Sequence, residues 1–154
     1  MRLTARGFTL IELIVTVMIV GILAGMAVPL ARNEIKREKE KALREELREI
    51  RLAIDKFKDF SDRGMIQVKL GTEGYPESLK VLVEGVPLTG AAGADKKLKL
   101  LRKIPEDPMT NSVEWGLRSY QDDPKAESWG SQNVFDVYTK SAGIALDGTK
   151  YKEW

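Results

Sequence analysis

The sequence predicts an α+β fold, with one long N-terminal α-helix whose distal half packs against a small C-terminal antiparallel β-sheet. Three observations carry this expectation. Residues 8–31 are almost entirely apolar, residues 32–60 are dense in helix formers, and the remainder turns to Pro, Gly and aromatic residues. At 154 residues, 43% hydrophobic and 31% charged, the chain has room for one ordinary domain, or a small domain with an appendage. A formal net charge of only +2 disfavours nucleic acid as a partner, because nucleic-acid binders carry a concentrated basic excess. With no cysteine there is no disulfide, thiolate zinc site or cysteine nucleophile. Absent histidine also removes the commonest general base, and no motif suggests an enzyme.

The first element follows a short leader, MRLTARG, carrying Arg2 and Arg6. From Phe8 to Ala31 the one charge is Glu12, and from Leu13 to Ala31 there are 19 residues without any. At 1.5 Å per residue, such a run reaches about 28 Å, close to the hydrocarbon thickness of a bilayer. A protein this small has no core able to enclose such a helix, so membrane insertion is expected. Charge counting leaves its orientation open, because Arg32, Lys36, Arg37, Lys39 and Lys41 crowd the far end as well.

Helix character continues beyond the apolar run. Between Arg32 and Phe60 there is no Pro or Gly, and Leu43, Leu47, Ile50, Ile54 and Phe57 recur in steps of four and three. That spacing places one apolar stripe on an otherwise charged helix, offered to something that packs on it. Glu40 and Arg44 stand in the favourable i, i+4 order. With Gly64 as its stop, the helix would run from Phe8 to about Asp62, about 80 Å. Pro29 removes one backbone hydrogen bond within it and is expected to kink or loosen it.

The remaining elements are short. Tyr75-Pro76-Glu77-Ser78 reads as an extended lead-in to a brief helix at Leu79, and Lys96–Lys103 as one or two helical turns. Val113–Tyr120 and Val134–Thr139 alternate as strands. Trp115, Tyr120, Trp129, Phe135, Tyr138, Tyr151 and Trp154 are expected to form the core between sheet and helix. Asp122-Asp123 reads as a solvated turn before Pro124.

Gly7-Phe8-Thr9-Leu10-Ile11-Glu12, placed between a basic leader and an uncharged run, resembles the N-terminus of type IV pilins and pseudopilins. Tyr75-Pro76, Leu79 and Leu82, then Ile104-Pro105-Glu106-Asp107-Pro108, are similar to the major (G-type) pseudopilin of type II secretion systems. The resemblance implies a pilin-like fold and cleavage between Gly7 and Phe8 by a membrane prepilin peptidase, which also N-methylates Phe8. Residues 1–7 would then be the leader, 8–31 the transmembrane and fibre-core half of the helix, 32–62 its amphipathic half, and 63–154 the globular domain. It further implies an inner-membrane subunit with its C-terminal domain in the periplasm. Such subunits stack as homo-oligomers into a helical filament, with minor pseudopilins and an inner-membrane assembly platform as partners. Without the leader the chain carries 23 basic and 23 acidic residues.

Within that picture Glu12 would pair with the Phe8 amine of a neighbouring copy, or else snorkel to lipid headgroups. Gly21 and Gly25 form a GxxxG spacing that allows close helix approach, or, with Pro29, mark a segment that loosens on extraction. G-type relatives usually end in a calcium-binding Ser-x-Gly-x-Asp-Gly loop. Here Ser141, Gly143, Asp147 and Gly148 echo it with an insertion, and Asp136 and Asp147 supply only two carboxylates for six to eight oxygen ligands. Calcium is thus a weak expectation at Ser141 and Asp147, and a glycine-supported turn is the simpler one. The resemblance implies a pseudopilus subunit that moves proteins across the outer membrane. The alternatives are a surface type IV pilin serving adhesion, motility or DNA uptake, and a soluble secreted domain cut after Ala27.

Overall fold

A computed structural model describes residues 7–89, 97–124, 126 and 128–154, without the side chains of residues 26–30. The leader before Gly7, with Arg2 and Arg6, lies outside the described residues, as does Lys96. Helix α1 spans Leu10–Asp62. The chain divides into two compact units, the first ending at Glu38 and the second comprising Lys39–Trp154.

In the first unit α1 begins at a cap. The Thr9 hydroxyl accepts a hydrogen bond from the Glu12 amide at 3.3 Å, and the Thr9 carbonyl accepts from Leu13 at 3.1 Å. Thr9-x-x-Glu12 is thus a capping-box sequence that also sets an acidic side chain in the first helical turn, where the helix dipole favours it. From Phe8 to Gly25 every side chain is exposed. The backbone is helical through Pro29, whose side chain is outside the described residues. Among the described residues no helix is long and apolar enough to cross a membrane. The described stretch of residues 10–25 reaches only about 24 Å at the helical rise.

In the second unit the expected stripe becomes the core. Leu43, Leu47, Ile50, Ile54 and Phe57 are buried, joined by Ala53 from the same face. The helix stops as the sequence predicts. Gly64 adopts φ +66°, its amide bonds to the Ser61 carbonyl, and the Met65 amide reaches the Phe60 carbonyl at 3.0 Å. This pairing satisfies terminal carbonyls that would otherwise lack donors.

The short helix α2, Leu79–Glu84, buries Leu79 and Leu82. Strands β1 (Val86–Pro87) and β2 (Lys97–Leu98) pair antiparallel, as do β3 (Gly116–Arg118) and β4 (Asp136–Tyr138). Among the described residues they form two separate two-stranded sheets rather than one. The helical turns expected over Lys96–Lys103 are not formed. Lys97–Leu98 is strand, and the amides of Leu100 and Leu101 both donate to the Leu82 carbonyl at 3.0 Å. The segment completes the end of α2 instead of coiling on itself.

The aromatic residues divide. Trp115 and Tyr151 are buried, and Trp129 and Trp154 pack against the core from its edge. Tyr120 and Phe135 are exposed, contrary to the sequence expectation, and form a surface cluster with Tyr75 at centroid distances of 5.2–5.9 Å. Phe135 precedes β4, so the pleat that turns Val137 inward does not govern its side chain.

Gly116 and Tyr138 stand opposite each other across β3 and β4. A Cβ at Gly116 would lie 2.3 Å from the Tyr138 ring, so the ring lies flat over a position that only glycine leaves vacant. Gly116→Ala is expected to destabilise the fold by about 1–3 kcal/mol through overpacking, read as a lower midpoint in urea unfolding. Pairing it with Tyr138→Ala should return part of that loss, and an undiminished midpoint in Gly116→Ala would exclude the contact.

Candidate functional site

The residues with predicted roles at the N-terminus lie close together along the chain. Gly7 precedes the helix, Phe8 is 81% exposed, and Glu12 is exposed one turn into α1. Gly21 and Gly25 each have open space where a Cβ would project, so neither glycine is required by packing within a single chain. Sequence reading passed over Thr9, although its spacing to Glu12 is a readable capping signal. Thr16 bonds back to the Leu13 carbonyl at 2.9 Å, satisfying its hydroxyl on an apolar surface.

Several carboxylates of the globular body are held in hydrogen bonds to its own chain. Asp107, fully buried, accepts hydrogen bonds from the Met109 amide (2.8 Å), the Thr110 hydroxyl (3.0 Å) and the Thr139 hydroxyl (2.5 Å). The Trp115 indole donates to the Pro105 carbonyl at 3.0 Å. The Ile104–Pro108 segment is therefore a knot that joins the loop before β3 to the residue after β4. Asp122 likewise holds its turn together, accepting from the Ser119 and Gly130 amides, and these bonds depress its carboxyl below the ordinary aspartate value. The buried Asn133 donates to Gln121 and accepts from the Tyr120 amide.

At the C-terminal loop the structure separates the two expected calcium ligands into different hydrogen-bonding roles. The Ser141 hydroxyl accepts from the Gly143 amide at 3.3 Å. One oxygen of Asp147 accepts from both the amide (2.9 Å) and hydroxyl (2.6 Å) of Thr149, and the other faces the Arg44 guanidinium at 3.6 Å. The Thr149 bonds, with Arg44 in support, hold the Asp147 carboxyl below its ordinary value. Asp136 is held between Arg51 at 2.7 Å and Arg118 at 3.4 Å. Among the described residues no three acidic side chains come together. With both carboxylates already paired to arginine, this donor set does not fit a hard divalent cation seeking six to eight oxygens.

Glu40 and Arg44 also have roles that their spacing alone did not disclose. Glu40 accepts from the Leu146 amide (2.8 Å) and the Tyr151 hydroxyl (2.9 Å), while the Arg44 guanidinium lies 4.2 Å above the Trp154 ring. Arg51 donates to the carbonyls of Val137 (3.0 Å) and Trp154 (2.8 Å). A groove of about 460 Å³ is bordered by Arg44, Arg48, Arg51, Leu52 and Trp154.

Comparison with known proteins agrees with this layout. The prokaryotic N-terminal methylation motif matches residues 2–28. The chain is 33% identical over 110 residues to the type II secretion system core protein G of Escherichia coli strain K12, covering 69% of this chain and 68% of that one. It is 27% identical over 144 residues to the core protein G of Pseudomonas aeruginosa, covering 92% and 86%. A type IV major fimbrial protein, FimA of Dichelobacter nodosus, is 34% identical over 106 residues, covering 64% and 66%. No solved structure gives a significant match. From its methylation motif, its long first helix and a match spanning two thirds of a core pseudopilin, the chain belongs to the type IV pilin-like family, close to the type II secretion system core protein G.

Proposed function

We propose that this protein is a structural subunit of a type II secretion pseudopilus and performs no catalysis. The observation that carries this reading is the unbroken exposure of apolar side chains from Phe8 to Leu23, with Leu10 at 78% and Val20 at 63%. An apolar surface of that extent requires a covering other than water. Inner-membrane lipid would cover it before assembly and the same helix of neighbouring copies afterwards. The sequence carries the uncharged run on to Ala31, which supplies the additional length that a membrane span needs.

In this reading the peptidase cuts between Gly7 and Phe8, and the new Phe8 amine is methylated while keeping its positive charge. Cleavage leaves Thr9 and its cap in place, so the helix start survives the removal of the leader. Glu12 then sits one turn from its own terminus, free to pair with the Phe8 amine of the next subunit. Such a pairing fixes register between apolar helices that otherwise have little to stop them sliding. Gly21 and Gly25, bare of side chains, would permit close helix approach in the fibre core. A periplasmic location of the body, with minor pseudopilins and an assembly platform as partners, follows from the same assignment.

Similarity to core protein G extends over most of the chain in the Pseudomonas aeruginosa relative, which favours a pseudopilus. The fimbrial relative favours a surface pilus instead. Secretion and surface-fibre assays on a strain lacking the gene separate these two. Loss of an exported protein without loss of surface fibres is the expected result, and the converse would transfer the chain to the pilins.

Processing is tested by the mass of the N-terminal peptide from cells carrying a prepilin peptidase. A peptide starting at Phe8 and heavier by one methyl group is expected, and a start at Val28 would overturn the assembly role. Glu12→Ala should be processed and stable yet lower the yield of sedimentable filaments by at least about tenfold, the loss expected from an unpaired charge costing roughly 1.4 kcal/mol or more. Thr9→Ala should weaken the helix start by about 1 kcal/mol, seen as faster amide exchange at Ile11–Leu13 in micelles.

A further inference from the structure

We propose that the C-terminal loop of this chain is closed by three side chains of α1, Glu40, Arg44 and Arg51, and that the fold therefore needs no calcium. This inference concerns the globular unit and stands whichever fibre the subunit builds. The three residues are separated by four and seven positions, which places them on one flank of the helix beside the Leu43–Leu47–Ile50 core stripe. Core burial thus positions the clamp, since the helix cannot rotate without withdrawing Leu47 and Ile50 from the interior.

Each clamp residue meets more than one point of the chain's end. Glu40 uses one oxygen to hold both the Leu146 amide and the Tyr151 hydroxyl, joining the start of the loop to the turn that follows it. Arg44 faces Asp147 and covers Trp154. Arg51 ties Asp136 of β4 to the carbonyls of Val137 and Trp154. The loop completes the circuit itself, as the Trp154 indole donates to the Thr149 hydroxyl at 2.7 Å and that hydroxyl donates to Asp147. Tyr151 and Trp154 meet edge to face at 5.2 Å. Gly143 is required for closure, because a Cβ there would come within 2.9 Å of the Tyr151 ring.

An isolated exposed ion pair would add little, but here the contacts form a network around a buried tyrosine. The same network supplies a reason for calcium to be dispensable. Asp136 and Asp147 are both neutralised by guanidinium groups, which repel a divalent cation from the position where the carboxylates would need to draw it in.

The test is thermal unfolding of the full chain in detergent micelles, followed by near-ultraviolet circular dichroism, in millimolar CaCl2 and in excess EGTA. The expected melting temperatures agree within about 1 °C, and a Glu40→Gln/Arg44→Met double variant melts about 5 °C lower in both solutions. A calcium-induced rise of several degrees in the unsubstituted chain, or a double variant that melts unchanged, would overturn the proposal. Should the variant not fold, calorimetric titration of the unsubstituted chain with CaCl2 decides alone, with saturable binding as the contrary result.

Tyr151 supplies an independent readout. Burial, reinforced by the bond to Glu40 and by the nearby Asp147 charge, pushes its hydroxyl up to about 12, while Arg44 is the cation facing the same loop. A folded-state value above the unfolded one means that this contribution is complete below pH about 10 and is lost as pH rises towards about 12. The unsubstituted chain should therefore lose stability across that window, and Tyr151→Phe should lack that component. An identical alkaline profile in both proteins would count against the clamp.

Discussion

Burial of one face of α1, from Leu43 to Phe57, is the constraint that the globular unit depends on. The regular structure after Gly64 is too sparse to stand alone, with strands of two and three residues in two separate sheets. Such ladders gain little from their own hydrogen bonds and require an apolar support. The helix provides it, and Leu79, Leu82, Leu101, Trp115, Val134, Val137 and Tyr151 complete the same core. Much of the remaining definition comes from polar groups that take the place of longer strands. Asp107 reaches Thr139 and Asn133 reaches Tyr120, while Asp122 closes its own turn with Ser119 and Gly130, and their burial or bonding gives otherwise irregular loops a single conformation.

The N-terminal portion obeys a different solvent logic. Its side chains from Phe8 to Gly25 are exposed, so the sequence there needs only apolarity, helix propensity and a good start. Thr9 supplies that start, and it explains part of why an acidic residue at position 12 is tolerated. A carboxylate in the first turn interacts favourably with the helix dipole. Glu12 is therefore accommodated by the start of its own helix.

The long helix, its glycine stop, the core stripe and both longer strands were legible in the sequence because each has a local periodicity or a residue with a fixed conformational preference. The family motif was legible for a related reason, since its residues are consecutive. What was hidden was long-range. Lys97–Leu98 became strand because β1 and the open end of α2 offered partners that no window of sequence contains. Tyr120 and Phe135 fall just beyond the ends of β3 and β4, and aromatic content does not state where a short strand stops. The role of Asp107 was invisible, as its donors include Thr139, on the far side of both strands. Glu40 and Arg44 were read as a pair along the helix, whereas each has partners about a hundred residues away.

The worth of the Glu40 and Arg44 charges depends on what the chain brings beside them. On an exposed helix face, a Glu and an Arg one turn apart can satisfy each other for a few tenths of a kcal/mol. The same two charges become more valuable when a chain segment offers an unpaired amide, a tyrosine hydroxyl and an indole face, because those groups otherwise lose solvent on closure without compensation. The apolar stripe decides which segment arrives, by drawing Tyr151 and Ala145 into the core. With those two buried, Leu146 and Asp147 lie beside Glu40 and Arg44.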